Sequence, residues 1–408
     1  MDLNLDRARF YTKLFLGKGL GNNVSFDKAF SEIVRKYSIE PREASLLYKL
    51  LYKVVMYYHS IRFLVSYKGQ TPKLSNIVEY LYSKGFDIED IFDEIEILSS
   101  SFSEIFKLAL KHGYPPWLVR DIYGKLPPLE INSLLRSLNE RKRWLRVNKA
   151  KASLEDAISC LEKTGVSVVR HSVFKDILQL NDPFLKIGSN KCVTQGIVIP
   201  QDISSYISTF LMKTITRNLI DMCTAPGLKL HQALLTKNID KAIGIDISEA
   251  RLISTQKLLN IYGGDLYKVI LINSDSRRIV FNVENTIVLV DAPCSNTGAI
   301  YTDPFIKIRI SRKQIKKLSI IQKNILKNSF KNRGLVYYMT CSIHPLEGEE
   351  VVNYIIRRYD KRIALDKLDK TPFLSHGYIG YDFSTNVYRL HPHMVNGQGF
   401  FIALFKVD

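Results

Sequence analysis

Short apolar runs alternate with helical patterns from residue 201 to the end of the chain. The runs predict strands at 219–222, 242–245, 269–272, 286–290 and 335–339. Most of them are separated by predicted helices, near 228–237, 248–261, 311–330 and 345–357. This order is typical of a doubly wound α/β domain, whose parallel strands end at a common edge where ligands bind.

Two of these strands end next to a cysteine. Asp291-Ala292-Pro293-Cys294-Ser295 follows the run 286–290, and Thr340-Cys341-Ser342 follows the run 335–339. Both thiols are therefore expected at the ligand-binding edge of the sheet. A cysteine is more often a small core residue than a nucleophile. At Cys294 and Cys341, however, the strand-end position and the positive charge of the chain favour a reactive thiolate.

A loop of small residues follows the first predicted strand. Its members are Cys223, Thr224, Ala225, Pro226, Gly227, Leu228 and Lys229. Small residues let the backbone approach a ligand, and the next helix offers free N–H groups at its N-terminus. Asp246 ends the second strand, where a ribose-binding carboxylate belongs, and Asp275 follows the third. A single Asp at such a position is usually a helix cap, but three strand ends together favour a nucleotide-type cofactor site.

The chain is strongly basic. Its 408 residues include 58 Lys and Arg against 40 Asp and Glu, a formal net charge of +18 that both halves share. Such a field attracts polyanions, of which nucleic acid is the commonest; a basic enzyme that binds none is the alternative. The densest cluster of basic residues could contact nucleic-acid phosphates or could simply be a solvated surface. It comprises Arg141, Lys142, Arg143, Arg146, Lys149 and Lys151.

The cysteine pattern and the first residues indicate in which compartment the protein is expected. The five cysteines, at 160, 192, 223, 294 and 341, are odd in number and include no C-x-x-C pair. They predict neither a disulfide framework nor a zinc ribbon, and Cys160 and Cys192 are interpreted as core residues. The first residues are acidic and polar, and no apolar run approaches the roughly 18 residues that span a bilayer. We therefore expect a soluble, cytoplasmic protein.

The first 200 residues predict two regions of different secondary structure. Residues 1 to about 112 predict helices, the clearest at 42–58 behind a first-turn Pro41, and the Gly-Tyr-Pro-Pro-Trp string at 113–117 breaks the pattern. From about 141 onwards, short strands flank a helix that Ser153 caps, which indicates a small α+β module. We divide the chain into residues 1–125, 126–200 and 201–408.

Three strings carry a resemblance. Cys223 to Lys229, Asp291 to Ser295 and Tyr338-Met339-Thr340-Cys341-Ser342 resemble the signature motifs of the Nop/Sun family of RNA cytosine-5 methyltransferases. The similarity continues through 201–205, 389–393 and 399–403. The first 200 residues are similar to the bacterial ribosomal RNA branch, Fmu/RsmB. The resemblance implies an α/β fold class: a Rossmann-like S-adenosylmethionine-dependent methyltransferase domain, preceded by an all-α NusB-like domain and a small α+β RRM-like module.

The resemblance also implies roles for the site residues. Cys341 would add to carbon 6 of a cytosine, Cys294 would help to release the product, and Asp291 would hydrogen-bond the base edge. Lys229 would lie near the methyl-transfer site. The expected S-adenosylmethionine site comprises the loop 223–229 at the methionine end, Asp246 at the ribose hydroxyls and Asp275 at the adenine amino group, with Arg251 and Asp291. The residues alone do not show which of the two thiols attacks the base. Cys294 is the alternative nucleophile, as in DNA cytosine-5 methyltransferases.

The chain departs from the family's pattern at Thr224, Leu228, Tyr301-Thr302 and Gln398, in loops expected near the base and the RNA. Basic residues that could supply phosphate contacts instead are Lys307, Arg309, Arg312, Lys313, Lys316 and Lys317.

The expected partner is RNA with an accessible, unstacked cytosine, ribosomal RNA first and tRNA as the alternative. We expect a monomer, with no metal and no membrane. A non-catalytic RNA-binding ribosome assembly factor is the second alternative, although both thiols are present. An exocyclic-amine methyltransferase would need an Asn/Asp-Pro-Pro-aromatic string at the fourth strand, where the chain has Asp291-Ala292-Pro293-Cys294.

Overall fold

A computed structural model describes residues 3–21, 24–99, 101–359 and 362–408. The chain divides into two compact units. The helical unit takes the residues up to Glu140 together with Ala299–Ser311, and the α/β unit takes Arg141–Gly298 and Arg312–Asp408. Every helix among the described residues is too short or too polar to cross a bilayer.

The helical unit confirms the all-α N-terminal region. Its helices are α1 (Leu5–Gly21), α2 (Phe26–Lys36), α3 (Pro41–Met56), α4 (Tyr58–Tyr67), α5 (Leu74–Ser83), α6 (Ile88–Ser99), α7 (Glu104–His112), α8 (Pro116–Ile122) and α9 (Pro128–Ser137). Pro41 occupies the first turn of α3, as predicted. Gly113 ends α7 in the left-handed conformation, at φ 67°. Because α8 and α9 follow within the same unit, the break at this glycine ends a helix and not the helical unit.

A segment from the second half of the chain completes the helical unit. Within Ala299–Ser311, the side chain of Lys307 is fully buried. Its Nζ donates to the carbonyl oxygens of Met56 (2.7 Å) and His112 (2.6 Å) and to Oδ1 of Asn139 (2.7 Å). Burial holds the pKa of Lys307 well below its ordinary value. The predicted phosphate contact of Lys307 is therefore wrong, because the sequence does not reveal that this lysine enters a cage of oxygen atoms.

The small α+β module predicted after the helices is present. It comprises β1 (Trp144–Val147), α10 (Leu154–Lys163), β2 (Val168–Arg170), β3 (Ile177–Leu180), α11 (Lys191–Thr194) and β4 (Val198–Pro200). The strands pair antiparallel in the order β2-β3-β1-β4. Ser153 caps α10 and forms a capping box with Asp156, as the sequence predicts for the start of this helix.

Two predictions for this module are wrong. Cys160 and Cys192 are not free core cysteines: α10 and α11 bring their Cα atoms to 6.0 Å, and the two sulfurs form a disulfide. Their separation of 32 residues gives no sign of this contact. The predicted surface cluster is also wrong at three of its six residues, because Arg146, Lys142 and Arg141 are only 3%, 6% and 8% exposed. The guanidinium of Arg146 donates to Oε1 of Gln201 (2.6 Å) and to Nδ1 of His231 (2.9 Å).

A larger sheet forms the rest of the α/β unit. Its strands are β5 (Asn218–Asp221), β6 (Lys241–Asp246), β7 (Val269–Asn273), β8 (Thr286–Asp291), β9 (Gly334–Thr340), β10 (Ile363–Asp366), β11 (Ser375–His376), β12 (Val387–Leu390) and β13 (Phe400–Val407). The remaining helices are α12 (Ile203–Phe210), α13 (Leu228–Thr236), α14 (Glu249–Tyr262), α15 (Phe305–Arg309, in the helical unit), α16 (Arg312–Ser329), α17 (Glu349–Ile356) and α18 (Pro392–Val395).

The strand order is β11-β12-β13-β9-β8-β5-β6-β7, and β10 pairs with β13. The strands from β5 to β9 are parallel to their neighbours, and β13 runs antiparallel to β9. Both faces of the sheet are covered: along β8, Ile287 and Leu289 pack into one apolar cluster, and Val288 and Val290 pack into another. Such double burial explains the continuous apolar runs in the sequence and confirms the five predicted strands and the Rossmann-like class.

A buried ion pair fixes the loop that follows β9. Arg389 on β12 and Glu349 on α17 have side chains that are 1% and 0% exposed, and two hydrogen bonds of 2.6 and 2.8 Å join them. Arg389 also donates to the carbonyl oxygen of Ser342 (3.2 Å). Removing one member of a buried pair leaves the other charge uncompensated.

We predict that Arg389→Met lowers the free energy of unfolding by about 3–5 kcal/mol, since Glu349 would remain charged in the core. The double variant Arg389→Met/Glu349→Leu should recover much of that loss. The matched control is Arg333→Met, because Arg333 and Glu284 form an exposed pair worth less than about 1 kcal/mol. Urea unfolding measures all three. Equal losses in Arg389→Met and Arg333→Met would contradict the prediction.

Candidate active site

The carboxyl ends of the parallel strands carry the predicted site residues. Cys223 comes two residues after β5, Asp246 ends β6, Asp291 ends β8 and Cys341 comes directly after β9. Since these strands are parallel neighbours, their ends meet at one edge of the sheet. The structure therefore brings together residues that lie up to 118 positions apart in the sequence.

The two thiols lie side by side. The Sγ atoms of Cys294 and Cys341 are 3.2 Å apart, and neither cysteine is in a disulfide. The Cys341 thiol donates to Oδ1 of Asn296 at 2.8 Å, and the Cys294 sulfur lies 3.6 Å from the same oxygen. The hydrogen bond with Cys341, followed by burial, raises the pKa of Cys294 well above its ordinary value. Cys294 is therefore held as a neutral thiol.

A buried carboxylate holds the two thiol loops together. Glu347 is fully buried. Its Oε1 accepts from the backbone N–H of Ser295 (2.9 Å) and from Nε2 of Gln322 (3.0 Å). Its Oε2 accepts from the hydroxyl of Ser342 (2.7 Å) and from the hydroxyl of Ser295. Ser295 follows Cys294 and Ser342 follows Cys341, so one carboxylate fixes both loops through hydrogen bonds to neutral groups.

Lys229 and Asp291 form an ion pair beside the thiols. Nζ of Lys229 donates to Oδ2 of Asp291 at 2.7 Å, and it lies 5.0 Å from the centre of the Phe400 ring. The lysine side chain is 10% exposed and the aspartate side chain is 31% exposed. Burial opposes the positive charge, but Asp291 outweighs it, so the pKa of Lys229 is raised above its ordinary value. The lysine stays charged, and the aspartate keeps one oxygen for another donor.

Asp221 is a site residue that the sequence analysis did not select. It ends β5, is 1% exposed, and accepts from the backbone N–H of Cys223 at 3.2 Å. Burial and the nearby Asp291 raise the pKa of Asp221 to about 7. The signal that could have found it is its position at the strand end, where a buried carboxylate holds the first turn of the loop.

The loop 223–229 is closely packed against the elements around it. Gly227 has a φ of 96°, and a Cβ added there would lie 2.6 Å from Cγ2 of Thr255, so a side chain is excluded. A Cβ on Gly244 of β6 would similarly approach Thr224, at 3.1 Å. Gly227 thus lets the loop approach α14, Gly244 lets β6 approach the loop, and α13 begins directly after Gly227.

Arg251 joins the loop to the predicted ribose carboxylate. Its Nη1 lies 3.2 Å from Oδ2 of Asp246, and its Nη2 donates to the carbonyl oxygen of Ala225. Asp246 is 4% exposed, and its Oδ1 accepts from the backbone N–H of Ser248. These donor and acceptor groups could hold a hydroxyl-bearing ligand.

Asp275, and the residues at which the chain differs from the family's pattern, have partners of their own or lie in the helical unit. Arg277 donates to both oxygens of Asp275 (2.9 and 2.6 Å) and lowers the pKa of that carboxyl. Tyr301 and Thr302 belong to the helical unit. The backbone N–H of Gln398 donates to Oδ1 of Asp202 at 3.0 Å.

Strand order and site geometry together define a Rossmann-like methyltransferase domain. The family described as 16S rRNA methyltransferase RsmB/F matches residues 209–406. A second description, the ferredoxin-like domain of RsmF/B-like methyltransferases, matches residues 114–186. Both matches confirm the resemblance of the chain to the Nop/Sun family of RNA methyltransferases that its motifs carry.

Individual relatives agree with this assignment. A protein of Mus musculus named 28S rRNA (cytosine-C(5))-methyltransferase is 29% identical over 83% of this chain and 45% of its own length. The ribosomal RNA small subunit methyltransferase B of Proteus mirabilis is 31% identical over 59% of this chain and 58% of its own length. The chain thus spans about half the length of these relatives. A crystal structure of the protein PH0851 shares the fold, with a TM-score of 0.79, 22% identity and coverage of 100% of this chain and 99% of that one.

We predict that Asp221 makes stability fall with rising pH. Its pKa is about 7 in the folded chain and about 3.9 in an unfolded one. Between these values the folded state holds a proton that the unfolded state has lost, so the free energy of unfolding decreases as pH rises. Asp221→Asn should remove up to roughly 2 kcal/mol of that decrease between pH 5 and 7. Urea unfolding at both pH values measures it; the exposed-site control Glu284→Gln should keep the parent's slope. Identical slopes in Asp221→Asn and the parent would contradict the prediction.

Proposed function

We propose that this chain is an S-adenosylmethionine-dependent RNA (cytosine-5-)-methyltransferase that forms a covalent bond between Cys341 and its base. The observation that carries the proposal is the pair of thiols that follow β8 and β9. Their sulfurs lie 3.2 Å apart without a disulfide, beside the Lys229–Asp291 pair. The names of the two relatives, both ribosomal RNA methyltransferases and one of them a cytosine-C(5)-methyltransferase, support methyl transfer to RNA cytosine.

The first step is the addition of a thiolate. Carbon 5 of cytosine is a poor nucleophile toward a methyl sulfonium. When the Cys341 thiolate bonds to carbon 6, the 5,6 π bond breaks and its electron pair shifts onto carbon 5, which becomes electron-rich. Asp291 has one oxygen free to accept from the amino group of the base, or from the ring nitrogen once the adduct takes up a proton there from solvent, and Lys229 holds that carboxylate in place. S-adenosylmethionine, when bound, supplies the methyl group that carbon 5 takes up.

The second step releases the product. Carbon 5 must lose its proton while the bond between carbon 6 and Sγ of Cys341 breaks, which restores the double bond and the thiolate. While Cys341 is bonded to carbon, the hydrogen bond that raises the pKa of Cys294 most is lost. Loss of that bond lowers the pKa of Cys294 and so favours the thiolate that would serve as the base in elimination. This division of labour supports Cys341 as the nucleophile and Cys294 as the release residue.

The cofactor would lie along the strand ends. The loop from Cys223 to Lys229 would hold its methionine end, and Asp246 would bind the ribose hydroxyls with Arg251 at its side. Asp275 would share its carboxylate between Arg277 and the adenine amino group. This proposal is supported by the close packing of Gly227 against Thr255 and by the buried carboxylate of Asp246.

Ribosomal RNA is the proposed substrate class, with tRNA as the alternative. The net charge of +18 suits a polyanion, and Lys313, Lys316 and Lys317 of α16 are exposed and available for phosphate contacts. We propose residues 1–125 and 126–200 as the modules that grip the RNA, residues 201–408 as the catalytic domain, and a monomer as the active form. Bisulfite sequencing of RNA from cells that lack the chain separates the two substrates by showing which RNA loses a methylated cytosine.

We predict opposite behaviour of the two thiol variants. With ribosomal RNA extracted from cells that lack the chain and with S-adenosylmethionine, Cys294→Ser should accumulate a protein–RNA adduct that survives SDS gel electrophoresis, because elimination is slowed. Cys341→Ser should form no adduct and no 5-methylcytosine. The reverse pattern would make Cys294 the nucleophile. Full turnover by Cys341→Ala would exclude the covalent mechanism.

A further inference from the structure

Asn296 occupies a constrained position in the loop between the two thiols. Its φ of 56° lies in the left-handed region, which asparagine tolerates better than most residues with a side chain. The residues on either side are fixed: the N–H of Ser295 bonds to Glu347, and the hydroxyl of Thr297 lies 2.9 Å from that of Ser342. The backbone that carries the Asn296 side chain is therefore held in place.

The carboxamide is aimed at the sulfur atoms. Its Oδ1 accepts from the thiol of Cys341 at 2.8 Å, and the sulfur of Cys294 is 3.6 Å away. A carboxamide carries both an acceptor oxygen and a donor nitrogen at nearly the same place. A half-turn about its terminal bond exchanges them, so the same side chain can accept from a thiol and donate to a thiolate.

The other groups around Cys341 do not serve in this way. The ionisable neighbours are Cys294, the Lys229–Asp291 pair and the buried Glu347. Lys229 spends a hydrogen bond on Asp291, and Glu347 is bonded to Ser295, Ser342 and Gln322. Cys294 also bonds to the sulfur but is itself a titratable thiol, whereas the Asn296 carboxamide adds a hydrogen bond and does not titrate.

We propose that Asn296 is a positioning residue for the nucleophile: its carboxamide accepts from the Cys341 thiol at rest and donates to the thiolate that attacks the base. The proposal rests on the function proposed above, in which Cys341 is the nucleophile. No atom is exchanged with Asn296, since the proton of the thiol leaves to solvent and only the hydrogen bond reverses.

The test follows the alkylation of Cys341 by iodoacetamide as a function of pH, read from its own peptide by mass spectrometry. Asn296→Gly keeps the left-handed backbone and removes the carboxamide. It should raise the midpoint of the pH–rate profile by roughly one pH unit, since a hydrogen bond to a charged group is lost. Asn296→Asp should raise the midpoint further, because a carboxylate disfavours a neighbouring thiolate.

The matched control is Asn285→Gly. Asn285 is an exposed asparagine with a φ of 50° before β8, so the variant makes the same backbone change away from the thiols and should keep the parent's midpoint. In methylation assays Asn296→Gly should lower kcat roughly tenfold with KM for RNA unchanged. Unchanged or lower midpoints in both Asn296 variants would overturn the proposal. Because alkylation needs neither RNA nor cofactor, a parent enzyme without methylation activity would count against the proposed function and not against the thiol contact.

Discussion

The buried carboxylate of Glu347 is the constraint on which the candidate site depends. A charge without exposure to water is costly unless several donors compensate it, and here the donors come from both thiol-bearing loops. The loop after β8 and the loop after β9 therefore cannot separate without leaving that charge unsatisfied. The approach of the two sulfurs to 3.2 Å is a consequence of this bonding as much as of the neighbouring strands.

A second layer of charge sets the chemistry around the sulfurs. The Lys229–Asp291 pair places a fixed positive group beside them, and Asp221 lies behind it with a pKa raised to about 7. The Arg389–Glu349 pair ties the same loop to β12 and α17. Each carboxylate at this edge thus has a partner or a proton of its own. The Cys341 thiol is therefore the group that is free to react with the base.

The sequence predicted what depends on periodicity and on strand ends. The five parallel strands were found because burial on both faces makes their residues continuously apolar, and Cys294 and Cys341 were found because parallel strands end together. Contacts between distant residues were not predictable. Lys307, the Cys160–Cys192 disulfide and the inward turn of Arg146 have no local pattern. Asn296 and Glu347 were missed for the same reason: one looks like a turn residue and the other like the start of a helix.

The most direct test measures whether Glu347 holds two thiols within reach of one atom. Phenylarsine oxide binds two neighbouring thiols at once, and isothermal titration calorimetry measures its affinity for the folded chain. The account predicts tight binding that Cys294→Ser or Cys341→Ser abolishes and that Glu347→Ala weakens at least roughly tenfold, as expected for loss of a buried charged hydrogen-bond network, while Glu284→Ala, at an exposed carboxylate, has no effect. Unchanged affinity in a folded Glu347→Ala variant would contradict it.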